Sequence, residues 1–181
     1  MGEKFIIKRS MNSLLSQKSV FSKIAGLEYF RFEDDFMENN IRCVPMIVRF
    51  KMDTAGIKLK LSEWNRFSTE EKTGLALRPV EGGARDAYHR HVVNLIKNYT
   101  GKTATPLPVD PEPEWSRLDC IPFMLSQKAS EFDWNISSSQ WKKLTDLQRF
   151  ALLKLCRPGH ENANFPKAMK EFNLIHQNEL H

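Results

Sequence analysis

Cys43 and Cys120 are the residues of this chain best placed to do chemistry. Each opens a Cys-x-Pro triplet, Cys43-Val44-Pro45 and Cys120-Ile121-Pro122. Pro is at home in the first turn of a helix, so both thiols are expected just ahead of a helix N-terminus. The positive end of the helix dipole lowers a thiol pKa and raises its reactivity. Two readings stand. The pair meets and holds a small ligand, a metal or a redox bond, or each is a small packed residue in front of a proline. A direct bridge would need Cα atoms within about 7 Å. No C-x-x-C or C-x-x-H spacing accompanies them, so the sequence names no metal site.

A second candidate is the polar run Arg157-Pro158-Gly159-His160-Glu161-Asn162-Ala163-Asn164, which follows a strongly apolar helical stretch. A loop on a rigid support is a common place for function. His160 and Glu161 are an acid and a base in type, which leaves an enzyme of unknown class as one alternative. No nucleophile or second acid stands with them, so Arg157, His160, Glu161 and Asn162 fit recognition of a partner better. The plain alternative is a helix–helix connection. His89 and His91 form an H-x-H pair, but residues two apart on a helix point to different sides and cannot share one ion. The chain has no Gly-rich phosphate loop, no G-x-S-x-G and no H-E-x-x-H.

The totals narrow the field. The 181 residues are enough for one domain or two small halves. No apolar run reaches the roughly 20 residues of a membrane-spanning helix, so no membrane role is expected. Three cysteines make an odd, widely spaced set that fits no disulfide framework and points to a reducing, cytoplasmic setting. Net charge is +5, but Lys4, Lys8, Arg9, Lys18 and Lys23 against Glu3 put +4 of it in residues 1–26. The remainder is near neutral and has no basic stripe interleaved with aromatics, so no nucleic-acid partner is expected. Residues 1–26 have one Arg and no cleavage-site pattern. A loose or loosely docked extension, with Phe5, Ile6, Leu14, Leu15, Phe21 and Ile24 available to rest on the body, fits better than an organelle-targeting segment.

The elements that must position these residues are repeated. Cys43, Pro45, Lys51, Ser62, Trp64, Ser68 and Glu71 fall on Cys120, Pro122, Lys128, Ser139, Trp141, Thr145 and Gln148, always 77 residues on. Ser68/Glu71 and Thr145/Gln148 are capping boxes. The expected fold is all-α, with two multi-helix units of one pattern packed into one domain. The units are 27–101 and 116–181, joined by a Pro-rich strap at 102–115 that holds Pro106, Pro108, Pro111 and Pro113. Each unit reads as a helix after Pro, an extended connector, a short Trp helix begun by Ser62 or Ser139, a capped helix and a closing helix. Val44, Ile47, Val48 and Met52 form a buried stripe in the first helix, with Arg49 and Lys51 reaching water. Gly56-Ile57-Lys58-Leu59-Lys60-Leu61 alternates with period two but has no visible strand partner, so it is read as a connector. Asp86 and Asn164 are expected to cap the closing helices.

Two longer stretches carry a resemblance. Phe30-Arg31-Phe32-Glu33-Asp34-Asp35-Phe36 with Ile41-Arg42-Cys43-Val44-Pro45-Met46-Ile47-Val48-Arg49 is one. Leu147-Gln148-Arg149-Phe150-Ala151-Leu152-Leu153-Lys154-Leu155 with Arg157-Pro158-Gly159-His160-Glu161-Asn162 is the other. Together they make the chain similar to the nitrate reductase-associated protein family, over nearly all of the body from residue 29 to 175. The family brings no catalytic residue and no cofactor to carry over. The resemblance implies an accessory protein, not an enzyme, with nitrate reductase or a molybdenum-cofactor enzyme as partner. A small-molecule or metal binder using Cys43 and Cys120 is the alternative.

Overall fold

The computed structural model describes residues 20–36, 43–157 and 159–175. Eight α-helices carry the described fold: α1 (Met46–Ala55), α2 (Leu61–Trp64), α3 (Thr69–Leu77), α4 (Arg85–Thr100), α5 (Phe123–Ser130), α6 (Ser138–Lys143), α7 (Asp146–Leu155) and α8 (Phe165–Glu171). The starts of α5, α6 and α7 lie 77 residues after those of α1, α2 and α3 (123 − 46, 138 − 61 and 146 − 69).

The helix starts follow local chemistry. At α3 the Ser68 hydroxyl accepts from Glu71 N at 3.2 Å, and Ser68 N donates to Glu71 Oε2 at 2.8 Å. Thr145 and Gln148 repeat both bonds at α7, at 3.2 and 2.9 Å. The short Trp helices begin earlier than expected. Lys60 precedes α2 and Ser137, not Ser139, caps α6, because Glu63 and Gln140 reach back to the Lys60 and Ser137 amides. Asp86 lies inside the first turn of α4 rather than capping it. Asn164 directly precedes α8, but its amide donates to the Phe32 carbonyl at 3.2 Å instead of capping. Gly101, at φ 68°, ends α4 in the left-handed region, where glycine carries no Cβ penalty.

The apolar residues gather into two clusters. One holds Trp64, Leu75, Tyr88, Val92 and Ile96, with Phe21 fully buried among them. The other holds Trp141, Phe150, Leu152, Phe165 and Met169. Helix α1 serves both, sending Val48 and Met52 into the first and Met46 and Phe50 into the second. Trp64 and Trp141 are both fully buried, so neither is a binding residue.

Each tryptophan lies beneath a buried cation at matching positions. Lys72 Nζ is 5.4 Å from the Trp64 ring centre, and the Arg149 guanidinium carbon is 5.7 Å from that of Trp141. Such stacking offsets part of the cost of burying the charge. Arg149 is also tied to four groups: the carbonyls of Trp115 at 2.6 Å, Trp141 at 3.5 Å and Leu144, and the Asp146 carboxylate.

Two expectations need correction. Lys51 does not reach water. Its ammonium is buried against the end of α3 and donates to the carbonyls of Ala76 at 2.5 Å and Arg78 at 2.8 Å. A cation there satisfies carbonyls that a helix end leaves without partners. The alternating segment after Gly56 does have a strand partner. Strand β1 (Ile57–Lys58) pairs antiparallel with β2 (Thr105–Pro106), Ile57 opposite Pro106 and Lys58 opposite Thr105. The strap folds back onto β1 instead of serving as a mere spacer.

The segment Arg31–Phe36 forms a 3₁₀ turn that lies between α8 and the start of α1. The Glu171 carboxylate accepts from Arg31 N at 2.7 Å and Phe32 N at 2.9 Å. Glu33 points the other way, its Oε1 accepting from Met46 N at 2.7 Å at the start of α1. Phe30 and Phe32 stack on each other and meet Phe172 edge-on, with ring centres 4.9 and 6.0 Å from it.

Candidate functional site

Tracing the strap outward leads to the site. Leu107 N donates to the Gly56 carbonyl at 2.9 Å and extends the β1–β2 contact by one bond. Gly56 sits at φ 73°, and a Cβ there would come within 2.9 Å of Val109 Cγ2 and 3.2 Å of the Leu107 carbonyl. Only glycine allows both the turn and the close approach of the strap. At its far end the strap is held by Trp115, whose ring packs 5.0 Å from Phe50 and whose carbonyl accepts from buried Arg149. Trp141 Nε1 donates to the Arg117 carbonyl at 2.8 Å. Between these anchors the strap walls a cleft of about 950 Å³.

The opposite walls come from α1, β1, the first residue of α4 and the end of α7. Apolar surface is supplied by Val44, Met52, Ile57, Leu107, Val109 and Trp115. Arg49, Lys58, Arg85, Lys154 and Arg157 line the same cleft, with Asp53 and Asp110 as the carboxylates among the described lining residues. The described lining therefore carries five positive and two negative charges. Lys154 Nζ is 2.7 Å from Asp53 Oδ2, so one carboxylate is already paired. Arg49 Nε donates to the Val44 carbonyl at 2.8 Å, which fixes its guanidinium at the wall. Lys58, Arg85 and Arg157 are solvent-exposed. An apolar cleft of this size with a few charged groups has the form of a ligand or peptide site.

The residues singled out by sequence fall variously around this cleft. Arg157 lines it, directly after α7. Asn162 is half-buried in the turn after it, its amide donating to the Gly159 carbonyl at 3.2 Å. The side chains of His160 and Glu161, and all of Pro158, lie outside the described residues. Cys43 is half-buried and lines the cleft, whereas Cys120 is exposed and does not. Cys156 is the buried thiol, its pKa pushed up to about 12 by desolvation, which keeps it an unreactive thiol. His89 Nδ1 donates to the Ala55 carbonyl at 2.8 Å, and His91 is half-buried with its pKa lowered by desolvation. Among the described residues no group of three or more His, Cys, Asp or Glu side chains is placed to hold a metal ion.

Sequence reasoning missed Arg49, Lys58 and Arg85 as site residues. Each looks like an ordinary surface cation until the strap is laid beside it. The one available signal was Gly56 followed by an alternating run, which asks for a strand partner.

Glu33 is the one described side chain with a buried oxygen lacking a partner, Oε2. Desolvation pushes its pKa up to about 8, against the lowering effect of the Met46 amide and the Arg49 charge. It stands at the start of α1 and is not among the cleft residues.

Fold and site define a mostly helical protein with a strap-walled, cationic cleft, and no described helix is long and apolar enough to cross a membrane. The chain belongs to the conserved nitrate reductase-associated protein family, whose model matches residues 29–172. No curated protein and no solved structure matches it.

Proposed function

We propose that this chain is a non-catalytic accessory protein of nitrate assimilation, acting in the cytoplasm as an assembly or regulatory factor. It holds nitrate reductase or a molybdenum-cofactor enzyme at the face formed by the cleft, Arg157 and the turn through Asn162. Membership of a nitrate reductase-associated family supports the partner class. The observation that carries the binding reading is the cleft itself, with apolar walls and, among the described residues, more cations than carboxylates.

We also read the chain as two copies of one helical unit. The common offset of the helix starts, the two capping boxes, and the matching pairs Lys72–Trp64 and Arg149–Trp141 support this. On this reading the strap is where the copies differ, and the cleft is the feature that this difference creates.

The test is to purify the tagged protein from its own cells grown on nitrate and on ammonium. A nitrate-assimilation or molybdenum-cofactor enzyme should accompany it, enriched on nitrate. Protein that comes away with no such enzyme would contradict the reading. The alternative, a small ligand held by Cys43 and Cys120, gains little from a cleft that contains only the first of them.

A further inference from the structure

We propose that the cleft seats an extended segment of the protein partner in which carboxylate side chains are flanked by apolar ones. This inference rests on the partner-binding reading above and names what that partner must present.

The charge balance gives the sign. Among the described residues five cations and two carboxylates line the cleft, and Asp53 is already neutralised by Lys154. Exposed Lys58, Arg85 and Arg157 share the described lining with one further carboxylate, Asp110. That arrangement attracts acidic groups and repels basic ones. The strap sharpens the requirement. Pro108, Pro111 and Pro113 line the cleft and carry no N–H, so that wall is poor in backbone donors. The lysine and arginine side chains are then the charged donors on offer to a carboxylate entering the cleft.

The distribution of the cations gives the shape. They come from five separate places: Arg49 in α1, Lys58 in β1, Arg85 opening α4, Lys154 in α7 and Arg157 beyond it. A site for one phosphate gathers backbone N–H groups and a guanidinium fork onto one point. Charges supplied from several elements around apolar walls suit a ligand that spreads its own charges, with apolar side chains between them. An extended peptide does this. Its apolar residues would lie against Leu107, Val109 and Trp115, and its carboxylates against Lys58, Arg85 and Arg157.

The test uses the full chain and its co-purified partner. Carbodiimide treatment condenses a carboxylate with a lysine amine to an amide, with loss of water, only where the two already touch. The expected result is coupling of partner Asp or Glu residues to Lys58, mapped by mass spectrometry to one acidic–apolar stretch. Arg85→Glu with Arg157→Glu should lower partner capture by about tenfold or more. Lys97→Glu with Lys142→Glu, exposed and outside the cleft, should leave it unchanged. Arg85→Ser with Arg157→Ser guards against a folding artefact, and all variants are compared by thermal melting.

Full capture by both Arg85/Arg157 variants would overturn the cleft proposal while leaving the partner reading standing. Binding of inorganic pyrophosphate that is lost in these variants, with partner capture unchanged, would assign the cleft to a small anion and likewise overturn it. Wild-type protein that captures no partner overturns both.

Discussion

Lys154 Nζ lies 2.7 Å from Asp53 Oδ2 across 101 residues of sequence, tying the end of α7 to the end of α1 in the wall of the cleft. The pair also neutralises one of the carboxylates that line the cleft. Both side chains are partly exposed, so its contribution to stability is at most about 1 kcal/mol. Asp53→Asn should therefore melt nearly normally while leaving Lys154 unpaired in the cleft. Partner capture should tighten by roughly threefold at low salt, and the gain should fade as ionic strength rises. Weaker capture at every salt concentration would mean that Asp53 itself contacts the partner.

Gly56 and Gly74 should respond oppositely to the same substitution. Gly74 lies inside α3 with nothing within 4 Å of an added Cβ, so Gly74→Ala should stabilise by about 0.5–1 kcal/mol. Gly56→Ala forces a side chain into the left-handed region and against Val109, and should cost about 1–3 kcal/mol. Because it pushes on the strap, it should also weaken partner capture. Urea denaturation of both variants, alongside capture, checks the pair.

Arg149 anchors the far end of the strap from within the core. Arg149→Met should leave the Trp115 and Leu144 carbonyls short of a donor and cost about 2–4 kcal/mol. Arg149→Lys should recover only part of this, since an ammonium cannot serve the same fork of carbonyls. Fluorescence of Trp115 should report loosening of the strap in both.

Glu33 makes stability depend on pH. Its folded pKa, about 8, is above the ordinary carboxyl value of 4.5. Between those values the unfolded chain releases a proton that the folded chain keeps. Stability therefore falls as pH rises across that window, by up to about 1.4 kcal/mol per pH unit from this group. The charged groups that act on it are Arg49 and Glu171. Glu33→Gln keeps an oxygen for the Met46 amide and should flatten the slope between pH 5 and 8. Urea midpoints at three pH values decide this.

The thiols should separate by accessibility. Cys120 should react first with a maleimide, Cys43 more slowly, and Cys156 only on unfolding. Partner binding should protect Cys43, which lines the cleft, and leave Cys120 unchanged. Mass spectrometry of labelled peptides with time reads all three.

What the sequence disclosed was what local chemistry decides. The capping boxes at Ser68 and Thr145, the stop at Gly101 and the apolar face of α7 are set by neighbours a few residues away. What it hid depends on distant partners. Lys51 is buried because Ala76 and Arg78, 25 and 27 residues on, offer it carbonyls. The strand at Ile57 pairs with a stretch that reads as a polyproline spacer. Arg157 was visible as a loop residue next to a strong helix. Arg49, Lys58 and Arg85 belong to one site only once Gly56 has let the strap close over them.

The most direct test of the accessory role is the protein tagged in its own cells and purified from nitrate-grown and ammonium-grown cultures, with the Arg85→Glu/Arg157→Glu variant run beside it. Nitrate reductase or a molybdenum-cofactor enzyme should come with the wild-type protein, enriched on nitrate, and be lost from the variant. Wild-type protein that emerges from nitrate-grown cells without such a partner would rule the accessory role out.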